Sequence, residues 1–270
     1  MGMTSYLPWN LIKRVQQLEA ELAALKQNSV LQLNGFLQLE TNDDCKTVKV
    51  SNANLQVVNG LGATDSTNGC GNLILGYNES RVGSTHGSPD NVSDDQRSGS
   101  HNLVIGPRHN YTSFAGTVAG DQNSISGEYA SISAGWLNVA SGKHSSLAGG
   151  VSNVASGFAS SISGGEQNEA SGPLSSVSAG RMNKASGEIS SVNGGASNQA
   201  ETGASVLGGE NNTAGGNFSC ISGGSDGRAS GLKASVNGGF ENNAAANLSS
   251  ILGGEAKRTT TDLETIPATS

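Results

Sequence analysis

The chain has 270 residues, 39 of them glycine, with 34% hydrophobic and only 4% aromatic residues, too little apolar material for a large conventional core. Its net charge of -7 comes with no basic stripe that could follow phosphates, which argues against a nucleic-acid partner. Cys45, Cys70 and Cys220 are odd in number and unpaired in spacing, so no disulfide framework is implied.

Residues 1–10 place Tyr6, Leu7, Pro8 and Trp9 side by side. Aromatics there need cover. They either cap the helix that follows or anchor the chain on a larger assembly, such as a particle baseplate. Met1 to Leu25, with Lys13, Arg14, Glu19 and Glu21, reads as neither a secretory signal nor a membrane span, so no membrane insertion is expected.

Over residues 11–29 the apolar residues Leu11, Val15, Leu18, Leu22 and Leu25 are spaced four, three, four and three. That is a heptad, with Val15 and Leu22 at a and the three leucines Leu11, Leu18 and Leu25 at d. Arg14 and Glu21 then fall at g, Glu19 and Lys26 at e, so opposite charges face each other across a parallel pair. A short coiled coil is expected.

Residues 30–59 change to alternation. Leu31 and Leu33, Leu37 and Leu39, Val48 and Val50, and Leu55 and Val57 each mark a half-buried strand, with turn residues at Asn34-Gly35 and Thr41 to Asp44. Residues 60–119 hold the first rungs of a repeat, where Asn72 to Gly76 is echoed by Asn102 to Gly106 two periods later. Their extra aliphatics suit a capping repeat. Between the echoes, residues 79–101 read as a surface loop rich in Ser, Asp and Gly. His86, Asp90, Asp94 and Asp95 lie within it, at a spacing that matches no calcium or zinc pattern.

Residues 120–254 carry the repeat itself. Glycines stand at Gly120, Gly135, Gly150, Gly165, Gly180 and Gly195, then at Gly209 after a shorter step, then at Gly224, Gly239 and Gly254. Three residues before each from Gly135 on comes the large aliphatic of the unit: Ile132, Leu147, Ile162, Val177, Val192, Val206, Ile221, Val236 and Ile251. Three residues after each as far as Gly239 comes an amide, at Asn123, Asn138, Asn153, Asn168, Asn183, Asn198, Asn212 and Asn242, with Gly227 as the exception. An Ala-Ser-Gly turn follows, as at Ala155 to Gly157. A fifteen-residue period cannot hold a pair of helices, so each unit is one rung of a parallel β-coil. Rungs about 4.8 Å apart would make the glycine-marked array a rod roughly 50 Å long. One aliphatic row is little for fifteen residues to order. It is therefore expected to be buried against copies of itself, in a homo-oligomer. Residues 255–270 read as a polar tail.

The run Ser160 to Gly172 resembles the haemagglutinin-type repeats of trimeric autotransporter adhesin heads, repeats that also occur in phage and injection-particle fibres. That resemblance covers about half the chain and implies a left-handed parallel β-roll that works as a trimer. The fold class expected is thus an all-β solenoid, trimeric, behind a short helical coiled coil. No active site assembles: His86, His101, His109 and His144 have no fixed partner carboxylate or nucleophile. No enzyme activity, metal or cofactor is expected.

Two function classes fit. One is a structural or adhesive fibre; the other, an ice-binding solenoid, suits the hydroxyl ranks less well because they are Ser rather than Thr and are interrupted by Trp136, Arg181 and Phe240. An autotransporter would need a signal peptide and a membrane barrel. A fibre mounted on a phage tail or contractile injection particle is the better expectation, with a secreted surface or matrix fibre as the alternative. The partners expected are further copies of the chain, an assembly protein at the N-terminus and a cell-surface receptor that the sequence does not name. Recognition is expected from corner residues that vary between rungs, foremost Trp136, Arg181 and Phe240, with Tyr129, His144 and Phe158 also variable.

Overall fold

The computed structural model describes residues 8–27, 36–41, 45–82 and 94–268, in two compact units, Met1–Gln56 and Val57–Ser270. Each is described by itself.

Among its described residues the first unit holds a helix, Trp9–Lys26, and a hairpin. The Pro8 carbonyl accepts the Leu11 and Ile12 amides at 2.8 and 3.3 Å, and Lys26 lies in the last turn, where a cation suits the helix dipole. Trp9 and Asn10, assigned above to a separate anchor peptide, instead begin this helix; Tyr6 and Leu7 lie outside the described residues. Every helix residue is exposed, and the heptad row Leu11, Val15, Leu18, Leu22 and Leu25 shows 45–53% of its surface. The hairpin pairs Leu37–Thr41 with Lys46–Val50 antiparallel, setting Leu37 opposite Val50 and Leu39 opposite Val48 on one exposed face. Leu31, Leu33 and the Asn34-Gly35 turn lie outside the described residues.

The second unit is the coil. Leu55 and Val57, read above as a strand, form none, the chain being irregular there on both sides of the division between the units. One parallel sheet of thirteen strands runs from Leu73–Leu75 to Thr265–Ile266, and a second of eleven from Asn110–Tyr111 to Arg258–Thr259. Each regular rung contributes two residues to each, such as Ser161–Ile162 and Glu169–Ala170. The register is a strict stack, with Ile162 against Leu147 and Val177, and Ala170 against Ala155 and Ala185. Backbone hydrogen bonds run between rungs. Most amides donate to the rung that follows, as Glu166 does to the Gly180 carbonyl at 2.9 Å. Two per rung point backwards, Gln167 to Val151 and Leu174 to Phe158 at 3.0 and 2.7 Å, because both residues are left-handed, with φ of 55° and 56°.

Four columns fill the interior. The aliphatic row from Ile132 to Ile251 is 0–1% exposed within one chain. This corrects the expectation that copies must cover it. The row faces a column the sequence reading had treated as turn, the alanines Ala140, Ala155, Ala170, Ala185, Ala200, Ala214, Ala229 and Ala244, all fully buried. A serine column, Ser145 through Ser249, and the Asn column complete it. Ala204 and Ala234 already replace serine in two rungs, so the hydroxyls are dispensable to the packing.

The Asn column is a closed hydrogen-bond ladder. Asn168 donates from Nδ2 to the carbonyls of Gly164 and Gly180 at 3.0 and 2.9 Å, its amide donates to Asn153 Oδ1 at 2.9 Å, and its own Oδ1 accepts the Asn183 amide at 3.0 Å. Every polar atom of the buried side chain is satisfied. His109 starts this column. Its Nε2 donates to the Ile105 carbonyl at 2.9 Å while Nδ1 accepts the Asn123 amide at 3.2 Å, the arrangement of a neutral ring. Burial holds His109 below its ordinary value of 6.5, against the pull of those backbone bonds. The unfolded chain takes up a proton near 6.5 and the folded one only at lower pH, so the stability His109 contributes is present above about 6.5 and lost as pH falls below it. Melting temperature should therefore drop between about pH 7.5 and about pH 5.5. The drop should shrink in His109→Asn, which keeps an acceptor for Asn123, and an equal drop in both proteins would remove His109 as the cause.

Two further expectations change. The echoed segments Leu73–Leu75 and Leu103–Ile105 stack directly, Ile74 on Val104, so thirty residues make a single enlarged rung rather than two. Leu73, Ile74 and Leu75 are exposed, since they form the outermost strand of their sheet. The polar tail is also corrected: Glu255 bridges Phe240, Arg258–Thr259 pairs with Asn243–Ala244, and Thr265–Ile266 pairs with Ser250–Ile251. Buried Thr259 stands in the alanine column there, its Oγ1 accepting the Ala245 and Ala246 amides at 2.9 and 3.2 Å.

Candidate interaction surface

What a solenoid shows to its surroundings is set by which positions the core leaves over. Each rung has two left-handed residues, one near each corner, and the two columns meet the same backbone requirement with different side chains. Near the first corner stand Gln122, Ser152, Gln167, Ser197, Asn211, Asp226, Glu241 and Ala256, small or polar residues, with Leu137 and Met182 as the exceptions. Near the second stand Tyr129, His144, Leu174, Ile189, Phe218, Leu248 and Leu263. A left-handed residue with a Cβ costs roughly 1–2 kcal/mol, and a β-branched one such as Ile189, at φ 55°, is an outlier. Backbone geometry alone favours Gly or Asn at such positions.

The second corner forms a continuous apolar ridge. Where its left-handed residue is small or charged, at Ala159 and Lys233, the residue before it is Phe158 or Leu232. The one corner lacking a large residue, Glu201 to Ala204, is the shortened fourteen-residue rung, and the Phe218 ring of the next rung covers its Gly203. The first part of the ridge is a ring stack. Phe114 meets Tyr129 edge-on with centroids 5.3 Å apart, Tyr129 stacks on His144 at 4.9 Å, and His144 meets Phe158 edge-on at 5.9 Å. Phe114 is buried, and the apolar ridge residues beyond it are 44–72% exposed. Beside the stack, Lys143 Nζ pairs with Glu128 at 2.6 Å.

The residues favoured in the sequence lie elsewhere. Trp136, Arg181 and Phe240 fall in one bridged column at the first corner, three and four rungs apart, with Val151 and Glu166, then Ala196, Glu210 and Ser225 between them. They share a line but form no patch, and Trp136 is half-buried. Tyr129, His144 and Phe158 are brought together. Leu174, Ile189, Phe218, Leu232, Leu248 and Leu263 escaped notice although their signal was present, one large apolar residue one or two places after each second-corner small residue. The alternation between two neighbouring positions hid it.

Two other features belong to the structure itself. Trp9 lies under the Lys13 ammonium, 3.7 Å from the ring centroid, on the exposed helix. Arg81 and Arg97 fasten the described ends of the 79–101 loop. Arg81 is buried, with Nε donating to the Arg108 carbonyl at 3.1 Å and Nη2 to the carbonyls of Gln122 and Asn123 at 2.9 and 3.1 Å. Arg97 pairs with Asp95 at 3.2 Å and donates to the His109 and Asn78 carbonyls. No sequence signal marks a lone arginine as a fastening. His86 and Asp90 lie outside the described residues. Among the described residues no three of His, Cys, Asp and Glu gather as metal ligands, and no helix is long and apolar enough to cross a membrane.

No protein-family model matches the chain, and comparison with curated proteins finds no relative.

Proposed function

We propose that the chain is a structural or adhesive fibre component that works as a parallel homotrimer, the helix joining the copies and the coil serving as a rigid shaft that contacts a target cell surface. The observation that carries this reading is the exposed heptad row, because an amphipathic helix with its whole apolar seam open to solvent is stable only when that seam is covered. The charges at its flanking positions, Arg14 and Glu21 against Glu19 and Lys26, favour copies in parallel register. The number three comes from the likeness of the repeats to trimeric adhesin heads. The coil supports a spacer role, since its core closes within one chain and adding rungs adds length without new chemistry. A phage tail or contractile injection particle is the mounting this reading favours.

Light scattering on the full chain should give a mass near three times 27.2 kDa. A mass of one chain would remove the reading, and twice that mass would remove the trimer alone. Imaging of the native particle with the chain labelled locates the mounting.

A further inference from the structure

The apolar ridge at the second corner is unused by the fold, since the core of every rung closes without it. It also persists against local backbone preference, because large side chains hold left-handed positions there while the matching column at the first corner is mostly small or polar. Residues that fit their own chain badly at regular intervals point to something outside it. Its exposed side chains together offer on the order of 900 Å², taking about 200 Å² for a large side chain in full, which reaches the roughly 800 Å² per partner of a stable interface. Patches of that size mark contact sites.

We infer that this ridge is where copies of the chain meet along the coil. The inference rests on the homotrimer proposed above and names the face by which the coils join. Three features select a second copy over other occupants. The ridge repeats once per rung except in the shortened one, at the strand spacing of about 4.8 Å, and a parallel copy presents the same period over the same length. It is mostly apolar, and the charges along it, such as Glu128, Lys143, Glu188, Lys233 and Asp262, are few and of both signs, so it offers little to a uniformly acidic or basic partner. Where its rings gather they pack on one another, Tyr129 on His144 with planes 5° apart and Phe114 and Phe158 edge-on at either end, which leaves less ring face for a sugar to stack on. A one-residue-wide ridge on a corner is convex. Two such ridges touch along a line, whereas three around an axis cover each ridge from both sides.

In a parallel arrangement about an axis along the coil, each ridge residue faces its own counterpart. The full chain with Cys45, Cys70 and Cys220 changed to Ser is the background for three variants, Leu174→Cys, Leu248→Cys and, as control, Ser152→Cys, which is also left-handed but sits at the first corner. Disulfide formation needs Cα atoms within about 7 Å. Under mild oxidation, Leu174→Cys and Leu248→Cys should each join two copies at least tenfold more than Ser152→Cys, with the mass of the unoxidised proteins remaining oligomeric. An oligomeric mass with unlinked ridge cysteines, or with Ser152→Cys linking as well as they do, overturns the ridge and leaves the homotrimer standing. A single-chain mass for the parent overturns both.

Discussion

Replacing Asn153, Asn168 and Asn183 together by Leu should lower the melting temperature by roughly 10 °C or more, on the order of 5 kcal/mol. Each substitution deletes a side chain that donates to two carbonyls and accepts one amide, all inside the coil. Some of those groups keep a second partner: the Gly180 carbonyl still receives the Glu166 amide. The amides do not. Asn183 loses its acceptor on Asn168 and has no water to turn to, at about 1–3 kcal/mol for each such group. Changing the neighbours Glu166, Gln167 and Glu169 to Ser should cost less than about 1 kcal/mol, since the one ion pair removed, Glu169 with Lys184, is exposed. Equal melting temperatures for the two triple variants would show that the ladder has no structural role.

The same ladder supplies its own reverse experiment. At Gly227 the column lacks a side chain; Asn212 Oδ1 still accepts the Gly227 amide at 2.8 Å, but nothing on Gly227 can serve the buried Asn242 above it. Gly227→Asn should restore the missing bonds but, since its Cβ would lie 2.8 Å from Asn212 Oδ1 and must push that side chain aside, stabilise the coil by less than about 1 kcal/mol in a thermal melt.

How much of this was legible depended on whether a position carries a residue type that only one role explains. The glycine period, the aliphatic row and the Asn column were readable because each type recurs at one fixed place. The alanine column was not. Ala155 in Ala-Ser-Gly looks like part of a turn, and only stacking shows that its methyl group is the opposite wall of the core. That omission produced the wrong account of the aliphatic row, which seemed to need outside cover because its facing column went unseen. The last rung was missed for a related reason: Lys257 stands where Asn belongs and Thr259 where Ala belongs, yet backbone bonding carries the register past both. The ridge was half seen, through Tyr129, His144 and Phe158, because aromatic residues stand out in a sequence of Ser and Gly while Leu174 and Leu248 do not. Strain at those positions is visible only in dihedral angles.

Adjacent glycines should respond oppositely to the same change. Gly165→Ala should destabilise the coil by more than about 3 kcal/mol, and Gly164→Ala should stabilise it by about 0.4–1 kcal/mol. Gly165 has φ 91°, a conformation costly for any residue with a Cβ, and an added methyl group would sit on the carbonyl oxygen of Gly180 in the next rung. That oxygen cannot yield, since it accepts from both the Glu166 amide and Asn168 Nδ2 and is fixed by the stack. Gly164 meets nothing within 4 Å, and Ala134 and Ala179 already hold its place in other rungs. Alanine there only narrows the unfolded ensemble. Thermal melts of the two variants against the parent decide the matter. Shifts of the same sign and size would mean that rung spacing is not set by backbone contact at the glycine corner, and a shaft whose stiffness rests on that contact would need another explanation.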